Sequence, residues 1–265
     1  MKKFGICAFW LLFSLTALAG PRKEKLPDEL AGKTISLNSE YWVYRDEELE
    51  KGKKLPLLIY LHGGGGTGNN IEKIRRQPMR FLETIGKAGE KCLCVAPQAL
   101  HSPRQRGEKG GWVPSDLDVL IGHLKKTLPI DEKRVYLTGN SMGGYGTYVW
   151  AGNSPQHFAA IAPMVGGIGP GGPKDITKDL EKWGKNLATI PMKSYYGGQD
   201  KVVPADRGAM VLKAIKAAGG KKSEVIVLEE EGHGAGRVPF GDVKFVEWLF
   251  SQKKGDKAFL QKRDL

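Results

Sequence analysis

Short apolar runs recur along this chain, and between them apolar residues return every three or four positions. The run Leu55-Pro-Leu-Leu-Ile-Tyr-Leu-His62 ends in Gly63-Gly64-Gly65-Gly66, which predicts a buried strand feeding a glycine loop. Cys92–Ala96, stopped by Pro97, predicts a second buried strand. Arg134–Gly139, Phe158–Val165, Met192–Tyr196 and Glu224–Leu228 predict four more. The mixed stretch Leu37–Arg45 reads as an edge strand.

Helical spacing fills the intervals. Ser115 stands as a cap before Leu117, Leu120, Ile121, Leu124 and Leu128, with Asp118 three residues on. Pro204 opens a helix whose apolar face is Val211, Ala214, Ile215 and Ala218, and Gly219-Gly220 ends it. Ile71–Lys87, Gly143–Ala151 and Val243–Phe250 also read as helices. Strands that are apolar throughout, alternating with amphipathic helices, predict an α/β domain: a mostly parallel central sheet with helices on both faces.

No linker divides residues 33–253, which are read as one catalytic domain. Residues 20–32 are read as a loose N-terminal arm and residues 254–265 as a basic tail. The loop Gly166–Asp175 reads as a rim inside the domain. At the N-terminus, Lys2 and Lys3 precede an uncharged run to Ala19 that closes on Ala17-Leu18-Ala19-Gly20. Basic, apolar, then small residues is the pattern of a cleaved secretory signal, here residues 1–19, and predicts a secreted or periplasmic protein.

The chain has 265 residues, long enough to bury a core without disulfides. Hydrophobic residues make up 40% and charged residues 26%, which excludes a mainly disordered chain. The net charge of +12 allows acidic polysaccharide as a partner, but no nucleic-acid motif is present and a solvated surface explains it as well. Cys92 and Cys94 face the same side of one strand and read as buried fillers. No His, Cys or Asp cluster has metal-ligand spacing, and no cofactor is expected.

The chemistry centres on Gly139-Asn-Ser141-Met-Gly143, between a predicted strand and a predicted helix. A serine on so sharp a turn needs the space that glycines two residues to either side leave, and there it reads as a nucleophile. Such a serine needs a base, and the base an orienting acid; after this kind of turn the chain order is Ser, acid, His. His233, in Glu231-Gly-His-Gly234, follows a strand end, and Asp200 follows the strand before it. His62 precedes the serine and reads as ordering the glycine loop instead. Two backbone donors are expected for an oxyanion: the N–H of Met142, and one from the glycine loop, Gly64 with Gly65 in reserve. Trp112 reads either as an aromatic wall of the cleft or as core. Met164, like Gly65, is placed at the substrate pocket.

These residues carry a resemblance. Leu61-His-Gly-Gly-Gly65, Ala96-Pro-Gln98, Arg134 to Thr147, Gly197-Gly-Gln-Asp-Lys-Val-Val-Pro204, Glu231-Gly-His-Gly234 and Phe245-Val-Glu-Trp-Leu-Phe-Ser-Gln252 resemble the α/β-hydrolase superfamily. Within it the chain is similar to secreted esterases and "predicted peptidases" near polyhydroxybutyrate depolymerases, feruloyl esterases and dienelactone hydrolases. The resemblance implies an α/β-hydrolase fold over residues 33–253 and a triad of Ser141, Asp200 and His233. It implies hydrolysis of small, phenolic or carbohydrate-linked carboxylic esters without a cofactor. The alternatives are a serine peptidase of prolyl-oligopeptidase type and a non-catalytic envelope binder of polysaccharide.

Overall fold

A computed structural model describes residues 20–45, 52–101, 111–169, 172 and 174–255. The expected signal segment 1–19 and most of the basic tail lie outside the described residues.

The elements run β1 (Arg22–Lys25), α1 (Asp28–Ala31), β2 (Leu37–Tyr44) and β3 (Leu55–Leu61), then two 3₁₀ turns, Gly64–Gly66 and Ile71–Ile74. After them come α2 (Met79–Lys87), β4 (Leu93–Ala99), α3 (Pro114–Thr127), β5 (Ile130–Asn140) and α4 (Met142–Asn153). The rest are β6 (Ala160–Met164), α5 (Leu180–Leu187), β7 (Met192–Gly197), α6 (Asp206–Ala217), β8 (Ser223–Leu228), a 3₁₀ segment His233–Arg237, and α7 (Val243–Ser251). One sheet holds all the strands in the order β1-β2-β4-β3-β5-β6-β7-β8. The first two pairings are antiparallel and the remainder parallel.

Every residue of β3 is buried, because helices cover both faces of the sheet. Leu57, Ile59 and Leu61 point into one core with α3, α4, α5 and α6. Leu58 and Tyr60 point into the other, with Phe81 and Leu82 of α2 and Phe245, Val246 and Leu249 of α7. That alternation is the period-two pleat of a strand. Truncating Leu58, which is wholly buried, to Ala would cost about 2–5 kcal/mol.

Four expectations are corrected. Residues 20–32 are not a loose arm: Arg22–Lys25 pairs with β2, with Arg22 opposite Val43, and Leu26 is buried. Its ladder is backbone to backbone, so its charged side chains give no apolar signal. Leu37–Tyr44 is therefore not the sheet edge. β4 runs past Pro97 to Ala99, because the ladder to β2 shifts register between Leu37 and Tyr41 and tolerates a residue without an N–H. The helix expected to be capped by Ser115 starts at Pro114, whose missing N–H costs nothing at a first turn, and Asp118 bonds Trp150 Nε1 and Ser154 Oγ instead. Helix α5 is unforeseen, although Leu180, Trp183 and Leu187 have helical spacing. Cys92 and Cys94 are buried free thiols, as the sequence suggests. Among the described residues no helix is long and apolar enough to cross a membrane.

Candidate active site

β5 passes into α4 through one residue, Ser141, whose φ of 59° and ψ of −116° lie outside the regions most side chains accept. The turn is that tight because its neighbours are glycines. A Cβ on Gly139 would come within 2.5 Å of the Gly143 carbonyl oxygen, and one on Gly143 would run into the Leu61 carbonyl. Leu61 stands opposite Gly139 in the β3–β5 ladder, so the ends of these two strands press together at the serine. The Ser141 N–H donates to the Met164 carbonyl at 2.9 Å, which fixes the turn against the end of β6.

Asp200 follows β7 and His233 follows β8. Gly197 and Gly198 let the two loops meet, since a Cβ on either would strike the backbone of residues 229–232. Asp200 Oδ1 accepts the N–H groups of Val202 at 2.7 Å and Val203 at 3.0 Å. Its Oδ2 lies 2.8 Å from His233 Nδ1, and its side chain is wholly shielded from solvent. His233 Nε2 lies 2.9 Å from Ser141 Oγ. A carboxylate only accepts, so the neutral imidazole carries its proton on Nδ1 and leaves Nε2 free to accept from the serine hydroxyl. The structure thus brings together Ser141, His233 and Asp200 from three separate strand ends.

Met142 is the first residue of α4 and Gly64 the first of a 3₁₀ turn, so neither N–H has an acceptor within its own helix. Gly63 lies against the serine: a Cβ there would be 3.6 Å from Ser141 Cβ. His62 is buried and orders this loop. Its Nε2 accepts the Ala99 N–H at 3.0 Å, and its Nδ1 donates to the Gly63 carbonyl at 2.7 Å. Burial lowers its pKa to about 4, against a smaller upward pull from the Gly63 carbonyl.

Beside the serine opens a cavity of about 440 Å³. Gly63, Gly65 and Asn140 line it on the nucleophile side, and Tyr60, Phe81 and Phe240 supply aromatic surface. Arg76, Arg80 and Arg237 also line it, with no acidic residue among the lining groups. Of the three residues placed at the pocket by sequence, Gly65 lines this cavity. Trp112 and Met164 are corrected to core positions. Trp112 is 4% exposed, its Nε1 donates to the His62 carbonyl at 3.2 Å, and its ring fills the space left by the missing side chain of Gly146. The Met164 side chain is fully buried.

The sequence reading gives the three arginines and Asn140 no place at the site, although Asn140 stands in the serine turn. Asn140 adjoins the serine, and its Oδ1 is buried without a hydrogen-bond partner. Arg237 was findable, four residues after His233. Nothing in the sequence brings it to Arg76 and Arg80.

Comparison with known proteins agrees with the architecture. Residues 102–169, which include the serine turn, match the Prolyl oligopeptidase family. The chain is 32% identical over 195 residues to a "Putative carboxymethylenebutenolidase" of Methylorubrum extorquens, covering 69% of this chain and 64% of that protein. It is 31% identical over 203 residues to one of Yersinia pestis, covering 67% of each. The solved structure of a thermostable esterase superposes with a TM-score of 0.67 at 23% identity, over 89% of this chain and 63% of that one. The chain thus spans just under two thirds of the Methylorubrum relative and of the esterase.

Proposed function

This chain belongs to the α/β-hydrolase superfamily, and from that membership we propose that it is a serine carboxylesterase acting on esters that carry a negative charge. The observation that carries the reading is the hydrogen-bond chain from Asp200 through His233 to Ser141 Oγ, at 2.8 and 2.9 Å.

His233 Nε2 takes the hydroxyl proton as Ser141 Oγ attacks the ester carbonyl. The N–H groups of Met142 and Gly64 hold the oxyanion. The imidazolium, steadied by Asp200, returns the proton to the leaving alcohol, and an acyl-enzyme is left on Oγ. Water, deprotonated by His233, then attacks the acyl carbon; the serine leaves with the proton and the acid is released. Arg76, Arg80 and Arg237 favour substrates with a carboxylate or similar anion on the acyl or alcohol part, and the aromatic residues beside them suit a planar or phenolic group. Esters on an acidic polysaccharide are within this class. The basic, apolar and small-residue pattern of residues 1–19 supports an enzyme that works outside the cytoplasm.

The test is hydrolysis of p-nitrophenyl esters from acetate to decanoate, alongside p-nitrophenyl hemisuccinate, by wild type and Ser141→Ala. Serine-dependent turnover with labelling of Ser141 by an alkyl phosphonate is the expected result. No turnover and no labelling refutes it. The match to the Prolyl oligopeptidase family favours a peptidase as the second reading. Aminoacyl p-nitroanilides cleaved faster than the esters would select it.

A further inference from the structure

Gln98, near the C-terminal end of β4, is fully buried and sits at the centre of a one-way chain of hydrogen bonds. The Glu40 N–H donates to Asn38 Oδ1 at 3.1 Å, and Asn38 Nδ2 donates to Gln98 Oε1 at 2.8 Å. Gln98 Nε2 then donates to the carbonyls of Gly66 and Asn70, both at 2.8 Å. Both ends fix the direction, since a backbone N–H only donates and a backbone carbonyl only accepts. The amide orientation of Gln98 therefore has one solution.

The two carbonyls belong to the loop that follows His62. The same strand end holds that loop at further points. The Ala99 N–H donates to His62 Nε2, and the Gly68 N–H donates to the Ala99 carbonyl at 3.0 Å. The His62 ring occupies the place of a Gly66 side chain; a Cβ there would lie 2.5 Å from Cγ and Nδ1. Within itself the loop closes one turn, with the Gly66 N–H donating to the Gly63 carbonyl at 2.9 Å and Thr67 Oγ1 to the Gly64 carbonyl at 2.7 Å. Around Gly64 and Gly65, apart from each glycine and its chain neighbours, nothing lies within 4 Å of where a Cβ would be.

We propose that Gln98 is a positioning residue for the oxyanion loop, setting from beneath where the Gly64 N–H stands relative to Ser141 Oγ; this rests on the esterase reading above. The bonds within the loop shape its turn without tying it to β4, and a displacement of about 1 Å at a reacting centre costs on the order of 10² in rate. Gln98→Met keeps the length of the side chain and removes both donors. Asn38→Ala leaves Gln98 in place and removes one of the groups that orient it, the donor to its Oε1.

The experiment measures kcat per active site, titrated with a p-nitrophenyl phosphonate, together with KM and melting temperature, for both variants, wild type and Ser141→Ala. Gln98→Met is expected to lower kcat per titrated site by about 10–100-fold with KM within about twofold, since the lost contact matters at the transition state. Asn38→Ala is expected to lower it by about 3–10-fold, as a partial misplacement. A merely structural role would reduce the titratable fraction and melting temperature and leave kcat per site unchanged, which overturns the proposal. Should Gln98→Met fail to fold, an unchanged kcat in Asn38→Ala overturns it alone. A wild type without esterase turnover defeats the underlying reading instead, whereas Ser141-dependent turnover that both variants retain defeats only the role of Gln98.

Discussion

Ser141 and Val165 are the two residues other than glycine with positive φ among those described, at 59° and 41°, and one hydrogen bond joins the turns they make. It runs from the Ser141 N–H to the carbonyl of Met164, at 2.9 Å. Held conformations of this kind cost on the order of 1–3 kcal/mol each. Ser141→Gly removes the Cβ that is strained there. It is expected to raise unfolding free energy by about 1 kcal/mol, and melting temperature by a few degrees, while ending turnover. Ser141→Ala ends turnover without that gain. Calorimetry of the two variants side by side checks the difference.

Asp200→Asn is expected to fold normally and lose about 10⁴ in kcat. The reason is local. The Val202 and Val203 N–H groups require an acceptor at Oδ1, so the asparagine must turn its Nδ2 toward His233. A donor facing Nδ1 forces the ring proton onto Nε2, where it no longer accepts from Ser141. Steady-state kinetics on a p-nitrophenyl ester, with KM close to wild type, is the check.

The arginine-lined cavity predicts charge selectivity. Wild type is expected to prefer p-nitrophenyl hemisuccinate over p-nitrophenyl butyrate in kcat/KM, and to lose that preference as salt is raised. Arg237→Gln is expected to reduce the ratio about tenfold, the size of one charged hydrogen bond, with neutral-ester turnover little changed. A ratio unchanged by removing Arg76, Arg80 and Arg237 together would assign the cavity no part in recognition.

His62 makes stability depend on pH. In the unfolded chain the imidazole takes up a proton below about pH 6.5, while in the fold it stays neutral down to about 4. The unfolded state therefore binds more protons in between. The stabilisation is complete above pH 6.5 and is lost as pH falls toward 4. Urea denaturation at pH 7 and pH 4.5 should show wild type losing about 2–3 kcal/mol more than His62→Gln over that interval.

The parallel strands are legible in sequence because burial on both faces leaves an unbroken apolar run, as in Leu57–Leu61. β1 is not legible: Arg22-Lys-Glu-Lys25 owes its conformation to the backbone of β2, and its four charged side chains suit an outer strand that must not recruit another. Helix α5 hides behind Lys182, Lys185 and Glu181 on its solvent face. Ser141, Asp200 and His233 are readable from residue type, chain order and position at strand ends. The cavity is not, because Arg76 and Arg80 are far in sequence from Arg237. Nor is the part proposed for Gln98, since a single glutamine in a strand shows no periodicity and its partners are two loop carbonyls and the amide of Asn38, 60 residues away.

The pairing of Leu61 with Gly139 has a consequence for how the molecule assembles. The glycine loop and the serine turn are extensions of two adjacent central strands, so both are brought side by side once that single ladder has closed, and the ends of β4 and β6 then hold them. His233 and Asp200 arrive from the other end of the sheet, with a sequence separation of 92 between His233 and Ser141. Forming that contact requires β6, β7 and β8 to have been laid in turn against β5, and so comes later. During refolding, ester hydrolysis would then return after most of the secondary structure, and its lag would time the docking of the last strands rather than the formation of the first.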